Sequence, residues 1–133
     1  MIRLTITGSV PSKKNSRVIV RSTGRSFPNP IYVKWEKNAL KELASQAHVQ
    51  GLQAVSKYPV RVVCKFYVKD RVQRDIDNML ASIMDVLKTH KRKGEVLRQG
   101  ILDDDNWMHV NPLVGEVVGV DKLNPRVEIE ITS

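Results

Sequence analysis

The sequence predicts an α/β (α+β) fold, a small mixed β-sheet of four to five strands with two main helices packed on it. Three observations carry that prediction. Val60, Val62, Cys64, Phe66 and Val68 alternate with Arg61, Val63, Lys65, Tyr67 and Lys69, the period-two pattern of a strand with one buried face. Directly after it the period changes: Ile76, Met79, Leu80, Ile83, Met84 and Leu87 recur at helical spacing, one apolar stripe on an amphipathic helix. Alternating segments also stand at both ends of the chain, Ile2–Thr7 and Arg126–Ile131.

The elements follow in order. Ile2–Thr7 is a half-buried strand, and Gly8–Ser16, with Pro11 and Asn15, is a loop. Arg17–Arg21 is a short strand that turns near Thr23-Gly24 into a Pro- and Asn-containing loop. Tyr32–Ala47 favours helix, with Ala39, Leu40, Leu43 and Ala47 on one face and Gly51 as a stop. The strand Val60–Val68 and the helix from Ile76 come next. Lys91–Arg98 is read as a basic loop, Leu113–Val120 as a strand, and Arg126–Ile131 as a strand with Val127, Ile129 and Ile131 inward. At 133 residues, residues 1–133 form one domain with a real core, without repeats or low-complexity tracts.

Composition excludes several classes. Apolar content of 41% and charged content of 27% are ordinary for a globular protein, and no apolar run approaches the roughly 20 residues of a membrane span. Met1-Ile-Arg-Leu leads into alternation, not an apolar run, so no signal peptide is expected and the cytoplasm is the default. Cys64 is the one cysteine, which rules out an internal disulfide and a cysteine metal cluster and reads as a core thiol. His48, His90 and His109 are scattered without metal spacing. No phosphate-cradling Gly loop, nucleophile elbow or PD-(D/E)xK pattern is present, and no small-molecule cofactor is expected.

Charge is informative by its placement. The net charge of +8 gathers in three stretches. The first runs from Arg3 through Lys13, Lys14 and Arg17 to Lys34, the second from Lys57 through Arg71 to Arg74, and the third from Lys88 through Lys91, Arg92 and Lys93 to Arg98. Such clusters concentrate polyanions and speed their capture, which points to nucleic acid. Between them stand two acidic groups, Arg74-Asp75-Ile76-Asp77-Asn78 and Asp103-Asp104-Asp105. On a continuous helix Asp75 and Asp77 would point about 200° apart. With Asp75 still extended and Asp77 in the first turn they can converge, at the positive end of the helix. A further carboxylate from Asp104 or Asp105 would complete a hard oxygen site suited to Mg²⁺. Two such ions would serve in-line phosphodiester displacement. The plainer readings are that Asp77 is a helix N-cap and that Asp103–Asp105 is a solvated turn. An EF-hand is excluded, since Met79 stands where a third ligand is needed.

Pro11-Ser12-Lys13-Lys14-Asn15, Arg74-Asp75-Ile76-Asp77-Asn78 opening a helix, Asp85-Val86-Leu87 within it, Gly100-Ile-Leu-Asp-Asp-Asp-Asn-Trp107 and the closing strand from Arg126 together resemble the RusA Holliday-junction resolvases across nearly the whole chain. The resemblance implies a Mg²⁺-dependent endonuclease (Mn²⁺ being an alternative metal) that cleaves four-way DNA junctions in recombination and repair. It implies a homodimer, commonly of bacterial or phage origin. It makes Asp75 and Asp77 metal-binding catalytic acids and Asp105 the third, with Asp104 as its neighbour in a one-residue ambiguity. Arg74 would contact the scissile phosphate, and Lys13, Lys14, Arg17, Arg71, Arg74, Lys91, Arg92 and Lys93 would hold DNA. One position departs from the pattern: a lysine expected one turn after the second acid is Ala81, for which Arg71 or a lysine of the Lys13-Lys14 loop are candidate substitutes. The departure favours an alternative, a non-catalytic module binding branched DNA or RNA with a degenerate metal site. A basic scaffold protein is a third reading.

Overall fold

A computed structural model describes residues 1–133. Ten elements follow one another: β1 (Ile2–Thr7), β2 (Arg17–Ile19), β3 (Ser26–Pro28), α1 (Pro30–Gln50), β4 (Val60–Val68), α2 (Ile76–Leu87), β5 (His90–Arg92), β6 (Glu95–Arg98), β7 (Val110–Val120) and β8 (Arg126–Thr132). A 3-10 turn, Lys13–Asn15, interrupts the first loop. The main sheet has the order β1-β8-β4-β7, with β7 parallel to β4 and the other pairings antiparallel. It is the expected mixed sheet under two helices. The β2–β3 and β5–β6 hairpins are separate two-stranded pieces.

Cross-strand rows explain why the helices lie on one face. Ile6, Val127 and Phe66 are in register, as are Leu4, Ile129 and Cys64, and Ile2, Ile131 and Val62. All but the partly buried Ile2 are buried, and they meet Tyr32, Trp35, Ala39 and Leu43 of α1 and Met79, Ile83, Met84 and Leu87 of α2. Removing these groups from water is the main driving force of the fold, about 25 cal/mol per Å² of apolar surface. Burial pushes the Cys64 thiol up to about 12, in keeping with a core cysteine. The opposite face carries Arg61, Lys65, Glu128 and Glu130, of which Arg61 is exposed and the others half-buried.

Helix α1 begins earlier than Tyr32. Asn29 Oδ1 accepts from the Ile31 amide, Pro30 occupies the first helical position, and Gly51 closes the helix at φ +63°. The helix also seals one edge of the sheet. Gln46 accepts from Thr5 N (2.7 Å) and donates to Thr5 O (2.6 Å), Glu42 accepts from Thr7 N, and Gln50 donates to Arg3 O. The edge strand β1 therefore keeps no unpaired backbone row. Strand β7 at the other edge has no such cover, and Leu113, Val117, Val118 and Val120 are exposed there. No helix is long and apolar enough to cross a membrane.

Candidate active site

The loop from Lys69 to Asp75 carries the chain from the end of β4 to the start of α2. Asp75 is extended (φ −77°, ψ 118°) and stands at the N-cap, with Asp77 in the first turn. The plain-cap reading of Asp77 fails, because Asp75 holds the N-cap position, and the Asp75 side chain itself makes no capping hydrogen bond. Its Oδ2 instead faces Lys14 Nζ at 3.5 Å and Asn78 Nδ2 at 3.3 Å. Both Asp75 and Lys14 remain largely exposed, so the pair is open to a ligand and adds little stability.

Lys14 reaches Asp75 because its loop is fastened to α2. The buried Ser82 donates to Pro11 O at 2.7 Å, Lys13 Nζ lies 3.3 Å from Asp85 and over the Tyr32 ring, and Asn29 donates to Asn15 O. Lys13, expected to bind nucleic acid, is thus occupied in anchoring its own loop. Arg74 is also engaged: its guanidinium donates to Asp70 O, Val72 O and the Asp70 carboxylate. That hydrogen bond, with the bond from Val72 N, holds the Asp70 carboxyl below its usual range. Arg74 therefore braces the loop before Asp75.

The second acidic group lies at the other end of α2. Leu102 N donates to Leu87 O and Thr89 N to Leu102 O, which fixes the segment against the helix C-terminus. Asp103 N donates to Tyr58 OH. Asp105 N donates to Asp104 Oδ1 at 2.8 Å, the first cause of the lowered Asp104 pKa, and Asp105 faces Lys88 at 3.5 Å. The 12 residues of α2 rise about 1.5 Å each, so the two groups are separated by about 18 Å of helix. No group of three or more His, Cys, Asp or Glu side chains is close enough to hold a metal ion. The three-acid site expected of Asp75, Asp77 and Asp105 or Asp104 is not assembled within one chain, because the helix that separates them in sequence also separates them in space.

No family model matches the chain. Over 114 residues, 86% of this chain and 75% of the relative, it is 30% identical to the crossover junction endodeoxyribonuclease RusA of Aquifex aeolicus. The chain belongs to the RusA family. Ala81, where the resemblance leads to the expectation of a lysine, is half-buried on α2, and the ammonium group beside Asp75 is that of Lys14, from the first loop. Arg71, the other candidate substitute, is exposed and makes no ion pair.

The remaining predicted contacts of this RusA-family chain are spread out. Arg17 donates to Ser26 across the β2–β3 hairpin, and Lys91, Arg92 and Lys93 are exposed on the β5–β6 hairpin beyond the far end of α2. Reasoning from the sequence missed Ser82 and Asp85 as anchors, since their partners lie 71 and 72 positions away, the latter by the difference 85 − 13. Asp85 heads a compact network. Its backbone oxygen accepts from Arg98 Nη2 and meets His90 Nε2, and its carboxylate meets Lys13. Glu36 joins it from α1. Burial, then a hydrogen bond with Asp85, raises the Glu36 pKa from its ordinary 4.5. A carboxyl whose pKa is raised by folding contributes stability below its unfolded pKa and loses it as pH rises through the folded value. Glu36→Gln keeps a donor toward Asp85 and removes the charge. The variant is expected to melt higher than the parent at pH 7, and to lack the decline in stability just above pH 4.5. Thermal melts from pH 4 to 8 check this, and equal curves would refute it.

Proposed function

We propose that the protein is a Mg²⁺-dependent, structure-selective endonuclease that hydrolyses phosphodiester bonds at four-way DNA junctions and works as a homodimer. The observation that carries the reading is Asp75, extended at a helix start with its carboxylate released from capping and turned toward Lys14. Magnesium binds through one or two carboxylates and completes its shell with water and substrate phosphate oxygens, so the donor chemistry of Asp75 and Asp77 fits it. When bound, the ion supplies Lewis-acid polarisation of the phosphodiester. Around it, the chain's own groups orient the substrate. Lys14 places positive charge where negative charge grows on the phosphate as a water oxygen bonds to phosphorus and a bridging P–O bond breaks. Arg74 and Asp70 hold the loop rigid, and the exposed lysines and arginines read backbone charge more than base edges.

The third carboxylate comes, on this reading, from a second copy. An antiparallel two-fold contact along the open edge of β7 sets the Val110 end of one strand beside the Val120 end of the other. Asp75 and Asp77 follow the end of β4, which pairs with Val120, whereas Asp103–Asp105 precede Val110. The same operation therefore brings Asp104 and Asp105 of one copy to Asp75 and Asp77 of the other, twice per dimer.

The test uses a labelled four-way junction with Mg²⁺. The parent is expected to cut, and Asp77→Asn to cut more slowly by on the order of a hundredfold or more. Tight, equal binding by both proteins with cutting by neither would replace the nuclease reading with the branched-DNA or RNA binding module that Ala81 favours.

A further inference from the structure

We infer that the cavity between the first loop and the Lys69–Asp75 loop is a nucleotide subsite, which holds the substrate phosphate and sugar-base unit next to the cleaved bond. The inference rests on the nuclease reading and goes beyond it by assigning Lys69 and Ile31 to substrate binding.

The cavity measures about 380 Å³, within the range of small-molecule sites and large enough for one nucleotide. Lys14, Lys69 and Arg74 line it together with Asp75, so cations outnumber the carboxylate. Their availability differs. Arg74 is held by Asp70 and two carbonyls, and Lys14 faces Asp75. Lys69 is exposed and enters no ion pair, which leaves it as the cation free to meet a phosphate. Asn15 adds a side chain that can donate to phosphate or sugar oxygens.

Three apolar side chains join the same lining. Ile31 projects from the first turn of α1 with 76% exposure, beside Val10 and Met79. An exposed isoleucine in a cavity also lined by two lysines and an arginine matches a ligand with an anionic end and a flat apolar end. A nucleotide has both, and an isolated phosphate has one. The cavity shares Asp75 with the candidate metal end of α2, so its occupant lies next to the reacting phosphate and not on a remote surface.

The experiment measures binding in EDTA, where cutting is off. Junction affinity is determined against salt for the parent, Lys69→Ala and Lys41→Ala, the last on the outer surface of α1. Lys69→Ala is expected to weaken binding several-fold and to shrink the slope of log affinity against log salt by about 0.9, the signature of one lost phosphate contact. Lys41→Ala should leave the slope in place. In a second arm, amide spectra of the intact chain are recorded with 5′-dAMP or with inorganic phosphate. Residues 14, 15, 31 and 69 should shift more with dAMP, and Ile31→Ser should reduce the dAMP response to that of phosphate.

An unchanged slope for Lys69→Ala, with the parent binding junctions normally, overturns the inference and leaves the nuclease reading standing. Equal responses to dAMP and phosphate, indifferent to Ile31→Ser, overturn its nucleotide part. A parent that neither binds nor cuts junctions removes the nuclease reading, and with it the subsite's place beside a cleaved bond. In that case a dAMP response at these residues retains a nucleotide cavity, and none rejects it.

Discussion

Asp77→Asn and Asp105→Asn are each expected to slow junction nicking by on the order of a hundredfold or more, and a mixture of the two crippled proteins is expected to recover part of it. The start of α2 carries Asp75 and Asp77, its end is fastened to the segment that leads into Asp103–Asp105, and about 18 Å of helix lies between. If each site takes Asp77 from one copy and Asp105 from the other, a mixed dimer has one site bearing both substitutions and one bearing neither. Random exchange makes about half of the dimers mixed, so about a quarter of the parent's sites return. If both acids came from the same copy, every site in the mixture would carry a lesion and nothing would return. Nicking of a labelled junction, after exchange has been verified with tagged subunits, separates the two. Running Asp104→Asn in parallel resolves the neighbouring ambiguity. Asp104 accepts from the Asp105 amide and the Asp105 carboxylate lies 3.5 Å from Lys88, so each acid has a partner to give up before it can bind a metal. Persistent inactivity of the exchanged Asp77/Asp105 mixture, beside full activity of Asp104→Asn, would overturn the two-copy site.

The elements most legible in the sequence are those whose period is enforced by burial. Strand β4 and helix α2 meet their expected bounds because one face of each is in the core, and a slip of one residue would expose it. Where neither face is buried the signal vanishes. Lys91–Arg98, read as a loop, is largely the β5–β6 hairpin. Its residues are polar or exposed throughout, so no alternation marks it. The readable clue was the turn: Lys93 and Gly94 both have positive φ, the two-residue geometry that Lys-Gly permits. The acids were legible as residues and not as a site. Their local conformation at the helix start follows from the Arg-Asp-x-Asp-Asn sequence, but whether they meet Asp105 depends on helix length and, on the proposed reading, on a second copy. The same holds for Lys14. Nothing in the spacing of residues 14 and 75 brings them together; Ser82 and Asp85 do, by holding Pro11 and Lys13.

Gly100→Ala is expected to be the most destabilising single-methyl change in the chain. A Cβ at residue 100 would overlap the backbone of Leu87 and Lys88, atoms that cannot swing aside. The contact is close for a reason. Gly100 N donates to Thr89 Oγ1, Thr89 Oγ1 donates to Leu102 O, and Leu102 is wholly buried, so the segment lies directly on the end of α2. Gly115 shows the contrast: a Cβ there meets only the Leu80 side chain at 2.7 Å, whose rotamer can yield. Overpacking usually costs about 1–3 kcal/mol, and a clash with fixed backbone belongs at or above the upper end. For a domain of this size that lowers Tm by roughly 10 °C. A thermal melt of Gly100→Ala within about 2 °C of the parent would refute the packing argument. The change reaches function as well. Residues 100–102 are the seam from which Asp103–Asp105 project, so a displaced seam carries the acids with it. Nicking at a temperature where Gly100→Ala is still folded should therefore fall further than the folded fraction does.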